Sequence, residues 1–141
     1  PEGIEGRAGR YPGLGHLDIV TEMRPEKRLA LTDAVYLPTG AAVTGYEIHI
    51  GETTGPDTAR AWLDVGGRGE GAASPDGRVR GCYLHGLFAA DAFRRDYLSA
   101  LGATASGAPF EALVEDTLDA LAEHVAAHMD LDGMLDLAGP V

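Results

Sequence analysis

Residues 27–50 read KRLALTDAVYLPTGAAVTGYEIHI, and the fold is decided in this stretch. From Lys27 to Leu37 the chain alternates and is rich in strand formers. Pro38-Thr39-Gly40 marks a turn, and Ala42 to Ile50 forms a second strand. Toward the C-terminus, Ala59 to Val65 (ARAWLDV) predicts a third strand ended by Gly66-Gly67. Glu70 to Gly77 is broken by turn residues. Arg78 to Leu84 (RVRGCYL) predicts a fourth strand running into His85-Gly86. Toward the N-terminus, Leu17 to Val20 reads as a strand and residues 1–16 as Gly-rich loop. Gly13-Leu14-Gly15-His16 is not a dinucleotide-binding loop, which needs a third glycine and a following helix.

Beyond His85 the pattern turns helical. Asp91 suits the start of a short helix with Phe93, Tyr97, Leu98 and Leu101 inward, and Gly102 suits its C-terminal cap. Pro109 suits the first turn of a longer helix. In that helix Phe110, Leu113, Val114, Leu118, Leu121, Val125 and Met129 recur at three- and four-residue steps. Strands followed by helices predict an α/β layer architecture with a mixed sheet and C-terminal helices. Residues 1–88 are mostly strand and loop, and 89–141 form a helical tail.

The 141 residues amount to one domain, and 45% hydrophobic content permits a core. No apolar run approaches the ~20 residues of a membrane span. The opening Pro1-Glu2-Gly3-Ile4 is not a signal peptide and reads as a piece of something longer. The lone cysteine, Cys82, permits no internal disulfide and fits a reducing cytoplasm. Net charge is −11 (11 Lys+Arg against 22 Asp+Glu), which argues against nucleic acid and anionic membrane surfaces as partners. Residues 106–141 hold eight acids and no base, the pattern of a solvated helix face.

His85 is the leading candidate for chemistry. It ends a strand and precedes glycine, where α/β sheets place ligands, and histidine as a residue type exchanges protons near neutrality. A hydrogen-bonded structural histidine is the alternative. Strand alternation puts Tyr83 and His85 on one face and Cys82 and Leu84 on the other, so Cys82 points away from His85. In Gly45-Tyr46-Glu47-Ile48-His49-Ile50-Gly51 the same alternation brings Glu47 and His49 together. Two titratable groups inside a strand are costly unless paired or functional; a solvated edge strand is the other reading. With Tyr83 they form a candidate substrate-binding set. His124 and His128 share a helix face without a third ligand. Asp130-Leu131-Asp132-Gly133 lacks the rest of a calcium loop. No metal site is expected.

Taken together, Lys27-Arg28-Leu29, Gly45 to Thr53, Ser74 to Val79 and Gly81-Cys82-Tyr83-Leu84-His85-Gly86-Leu87-Phe88 resemble the cobyric acid synthases, glutamine-dependent amidases of cobalamin biosynthesis. The resemblance runs from about residue 1 to the last helix. The cobyrinic acid a,c-diamide synthases are similar at Tyr83-Leu84-His85 but differ around Tyr46 to Gly51. The resemblance implies the C-terminal part of a class I, flavodoxin-like glutamine amidotransferase domain. It implies glutamine and a corrinoid as substrates, with cobyrinic acid a,c-diamide converted to cobyric acid. ATP and Mg²⁺ would serve an N-terminal synthetase domain that lies outside this sequence, and no cofactor is expected on this segment. His85 matches the family's catalytic histidine, and the nucleophilic cysteine would come from upstream. The acid common two residues after that histidine is Leu87 here, which leaves the group that orients His85 unassigned. Glu47 and His49 would shape either the glutamine pocket or an ammonia route. By itself the segment should lack glutaminase activity and should be unstable or aggregate. A non-catalytic partner-binding module, or a glutaminase subunit of another ligase, are the rival readings.

Overall fold

The computed structural model describes residues 3–104 and 107–138 and divides the chain into two units, 1–105 and 106–141. The first unit is built on a long hairpin, β1 (Val20–Tyr36) and β2 (Ala41–Thr54). Gly40, with φ 78°, closes the turn, and its N–H donates 2.8 Å to the Tyr36 carbonyl. After Pro56–Arg60, a 3-10 turn, come β3 (Leu63–Val65), β4 (Arg68–Glu70), β5 (Ala72–Ala73), β6 (Arg80–Gly81) and β7 (Leu84–His85). Leu87–Ala89 is a second 3-10 turn, and α1 spans Asp91–Ala100. The main sheet has the order β4-β3-β1-β2-β7, and β5 and β6 pair separately.

Every pairing among the described residues is antiparallel, so the expected mixed sheet is an antiparallel one here. The physical reason lies in the connections. A four-residue turn joins β1 to β2, and Gly66-Gly67 (φ 61° and 87°) joins β3 to β4. Such short links join only antiparallel neighbours.

Three sequence expectations change. Residues 17–19 are not strand; β1 starts at Val20 and absorbs the strand expected from Lys27. Its register breaks between Met23 and Arg28, where Pro25 has no N–H for the ladder. Next, the strand expected from Ala59 begins only at Leu63. Pro56 starts a 3-10 turn instead, in which Asp57 pairs with Arg60 and accepts the Asp18 N–H at 2.8 Å. Finally, Arg78–Leu84 is no single strand: β6 and β7 belong to different sheets, with Cys82 and Tyr83 between them.

The inner face of the sheet contributes Ala34, Tyr36, Val43 and Leu84 to a core shared with Trp62, Leu63, Ala73, Leu87 and Phe93. Phe93, projected from α1, is fully buried, and its ring centroid lies 5.0 Å from that of Tyr36 in an edge-on contact. Tyr97 joins this cluster, whereas Leu101, expected inward, follows the last turn of α1 and is exposed. Gly102 (φ 78°) ends the helix, with its N–H on the Ser99 carbonyl. On the outer face Leu29, Leu31 and Val35 of β1 and Tyr46 of β2 are exposed, so the leucines of β1 lie away from this core.

The second unit holds α2 (Phe110–His128) and α3 (Leu131–Ala138). No residue of either helix is buried. The sequence reading omitted α3. Asp130 caps it by accepting the Gly133 N–H at 3.1 Å.

Candidate active site

The alternation of β2 turns Glu47 and His49 to one face, as expected, and that face is the inner one. There Glu47 is buried among cationic partners, its Oε1 hydrogen-bonded by Arg68 and its Oε2 facing Arg28 as an ion pair without an aligned hydrogen bond. Arg28 Nε lies 2.7 Å from Oε2, Arg68 Nη2 2.9 Å from Oε1, and His49 Nε2 3.4 Å from Oε1. Burial is the largest single influence on this carboxyl and would raise its pKa. The close Arg28 contact, the charges of Arg68 and Arg28 and the His49 contact together outweigh it and hold the pKa below the usual value. His49 donates from Nδ1 to the Gly51 carbonyl at 2.7 Å and stacks on Tyr83 with ring centroids 4.2 Å apart. The Tyr83 hydroxyl bonds Thr53.

Three charged residues of this cluster were not among the site residues read from the sequence, Arg28, Arg68 and Glu70. Arg68 Nη1 donates 2.7 Å to Glu70 Oε2, and Glu70 Oε1 accepts the Tyr83 N–H at 3.0 Å. The Glu70 hydrogen bond is the main cause of a raised Arg68 pKa; burial opposes it and the charges of Glu47 and Glu70 add to it. A signal was present: Gly66-Gly67 is a hairpin turn, and period-2 alternation after it puts Arg68 and Glu70 on one face. Together with Leu17, Ile19 and Cys82, these groups line a cavity of about 580 Å³.

His85 stands elsewhere. In register it faces Tyr46, while Leu84 faces Glu47. Leu84 and Glu47 are buried, but His85 and Tyr46 are exposed on the outer face. Tyr83 and His85 therefore do not share a face: the chain turns between β6 and β7, and the alternation that would align them is broken. The structure brings Glu47, His49 and Tyr83 together and places His85 across the sheet from them. Cys82 packs against the core, with Sγ 3.5 Å from the Leu84 carbonyl, and burial pushes its thiol pKa up. It makes a poor nucleophile and lies away from His85, as expected. His124 and His128 are exposed and stacked on each other, with ring centroids 4.3 Å apart.

Gly45 lets β7 approach. A Cβ at this position would lie 2.2 Å from the His85 carbonyl oxygen and 3.1 Å from Leu84 Cγ. Backbone cannot yield cheaply, so Gly45→Ala should weaken the β2–β7 pairing by about 1–3 kcal/mol. Hydrogen exchange of the 84–88 segment in the full-length protein reads this as faster deuteration; unchanged exchange would contradict it.

The family described as the CobB/CobQ-like glutamine amidotransferase domain matches residues 1–93. This chain belongs to that family. Three curated relatives, all named cobyric acid synthase, extend the similarity to the last helix. The protein of Ruegeria sp. (strain TM1040) is 55% identical over 141 residues, which is 100% of this chain and 29% of the relative. That of Rhodobacter capsulatus (strain ATCC BAA-309) is 57% identical over 98% of this chain and 29% of its own length. That of Brucella canis is 49% identical over the same shares. The chain thus spans about 29% of the length of these relatives. No solved structure matches. In this amidotransferase chain Leu87, in the place where an orienting acid was sought, is buried in the core. Among the described residues no hydrogen bond reaches the His85 imidazole, and no group of three or more His, Cys, Asp or Glu is placed to hold a metal ion.

Proposed function

We propose that this chain is the histidine-bearing part of the glutaminase site of a cobyric acid synthase, which amidates cobyrinic acid a,c-diamide to cobyric acid. One observation carries the reading: β7 presents an unencumbered His85 on the exposed outer face of the sheet. In this reading the outer face, with Leu29, Leu31 and Tyr46 open around His85, packs on a flavodoxin-like remainder of the longer protein. That remainder brings the nucleophilic cysteine.

The chemistry follows from the imidazole. It takes the thiol proton, and the thiolate attacks the glutamine carboxamide carbon. The imidazolium returns the proton to the departing nitrogen, ammonia leaves, and a thioester remains. Water, deprotonated by the same imidazole, cleaves the thioester to glutamate and frees the thiol. Cys82 takes no part. Without the second half of the pair, this chain alone releases no ammonia. Glu47, His49 and Tyr83 act from the inner face, through the cavity they line and the strands they hold. ATP and Mg²⁺ serve the synthetase portion of the longer protein, and no step assigned to this chain runs through them.

The test is nitrogen transfer. The full-length protein, given Mg-ATP, the corrinoid a,c-diamide and glutamine labelled with ¹⁵N at its amide, should place the label in the new corrinoid amides. Unlabelled product, or no amidation, would reject the reading.

A further inference from the structure

β7 has two residues, and only Tyr46 and Glu47 of β2 pair with it. So short a ladder is a weak locator for a side chain that must transfer protons. The missing constraint comes from the residue just before it. The Tyr83 carbonyl accepts the Ile48 N–H at 3.1 Å, and the Tyr83 N–H goes 3.0 Å to Glu70 Oε1. Glu70 is itself buried and held at its other oxygen by Arg68 Nη1, 2.7 Å away. Arg68 Nη2 reaches Glu47, which stands opposite Leu84 in register. A closed circuit results, from β2 through Arg68 and Glu70 to Tyr83 and back to β2 through Leu84. His85 is the next residue outward. The side chain at 87 is buried leucine, so no acid orients the imidazole from there.

We propose that Glu70 is a positioning residue for His85, fixing the lead-in to β7 by accepting the Tyr83 N–H while Arg68 locks it to Glu47. This rests on the reading of His85 as the proton-transfer group. A buried ionic network is often no more stabilising than an apolar replacement, and what this one supplies is placement. A carboxylate bound at both oxygens leaves the Tyr83 amide one position. A displacement of about 1 Å at a reacting group costs on the order of 10²-fold in rate.

The experiment compares glutamine-driven and ammonia-driven amidation in the full-length protein for three Glu70 variants and for His85→Ala. Glu70→Met keeps the side-chain length and removes the acceptor. It should lower glutamine-driven kcat by about 10- to 100-fold, leaving the glutamine KM and the ammonia-driven rate nearly unchanged. Glu70→Asp keeps the charge but withdraws the acceptor by one methylene, and should show the same split if Glu70→Met does not fold. Glu70→Gln keeps an oxygen for the Tyr83 N–H and should recover most of the rate. Equal losses of both activities, or a folded Glu70→Met with undiminished glutamine-driven kcat, would overturn the proposal. If His85→Ala is inactive with glutamine while Glu70→Met is normal, positioning fails and the role of His85 stands. If His85→Ala is fully active, the role of His85 fails with it.

Discussion

Replacing His85 with alanine in the full-length protein should lower glutamine-driven amidation by about 10²- to 10⁴-fold, the range spanned by a positioned general acid–base group. Ammonia supplied from solution bypasses the glutaminase step, so ammonia-driven amidation should stay within about twofold. The structure makes the substitution a clean probe. His85 is exposed and among the described residues its imidazole carries no hydrogen bond, whereas its backbone is fixed in the β2–β7 ladder. Within this segment truncation removes neither a core contact nor a hydrogen-bond partner of the imidazole, and the ammonia-driven rate registers any cost to folding in the full-length protein. Lost glutamine-driven activity would then report on chemistry. Steady-state assays with each nitrogen donor decide the matter: a variant that loses both activities in parallel has a folding defect, and one that loses neither removes His85 from the mechanism.

The position of His85 at a strand end was legible in the sequence, because Tyr83-Leu84-His85-Gly86 carries both the strand formers and the breaker. So was the pairing of Glu47 with His49, since their separation of two matches the strand period. The face each would occupy was less legible. On β1 Thr32, Ala34 and Tyr36 turn to the core, whereas Leu29, Leu31 and Val35 turn out. Apolarity alone would choose the opposite face. Long-range contacts explain the other differences. Alternation from Arg78 to His85 presumes an unbroken ladder, but the Tyr83 N–H leaves it for a carboxylate thirteen positions earlier in the chain. Glu70 was hidden because Glu70-Gly71 reads as the start of a turn. Its role appears only when Arg68 joins it to Glu47 across the sheet.

That network is also where stability should respond most strongly to mutation, and the response should be lopsided. Arg28 and Arg68 have half-exposed side chains, while the Glu47 carboxylate is only 3% exposed. Removing Glu47 leaves two cations that water can solvate. Removing both arginines leaves a carboxylate sealed in the sheet with little but His49 for company. Breaking a buried ion pair from the wrong side costs about 3–5 kcal/mol, and the half-exposed arginines argue for the lower end. Arg28→Met/Arg68→Met should therefore open the β2–β7 region by about 3 kcal/mol, and Glu47→Leu by clearly less. The pH dependence should reverse as well. In the native protein the Glu47 pKa is lowered, so its contribution is present above the ordinary carboxylate value and is lost as pH falls through the folded pKa. In the double variant burial acts almost alone and raises the pKa above its unfolded value. The folded state then takes up the proton first, and the variant should regain stability as pH falls from 7 toward 5 while the native protein stays level. Hydrogen exchange of the 46–49 and 83–85 amides in the full-length protein, corrected for intrinsic rates at each pH, measures both effects. Equal costs for the two variants, or parallel pH profiles, would mean that Glu47 does not depend on its arginines for a place inside the sheet.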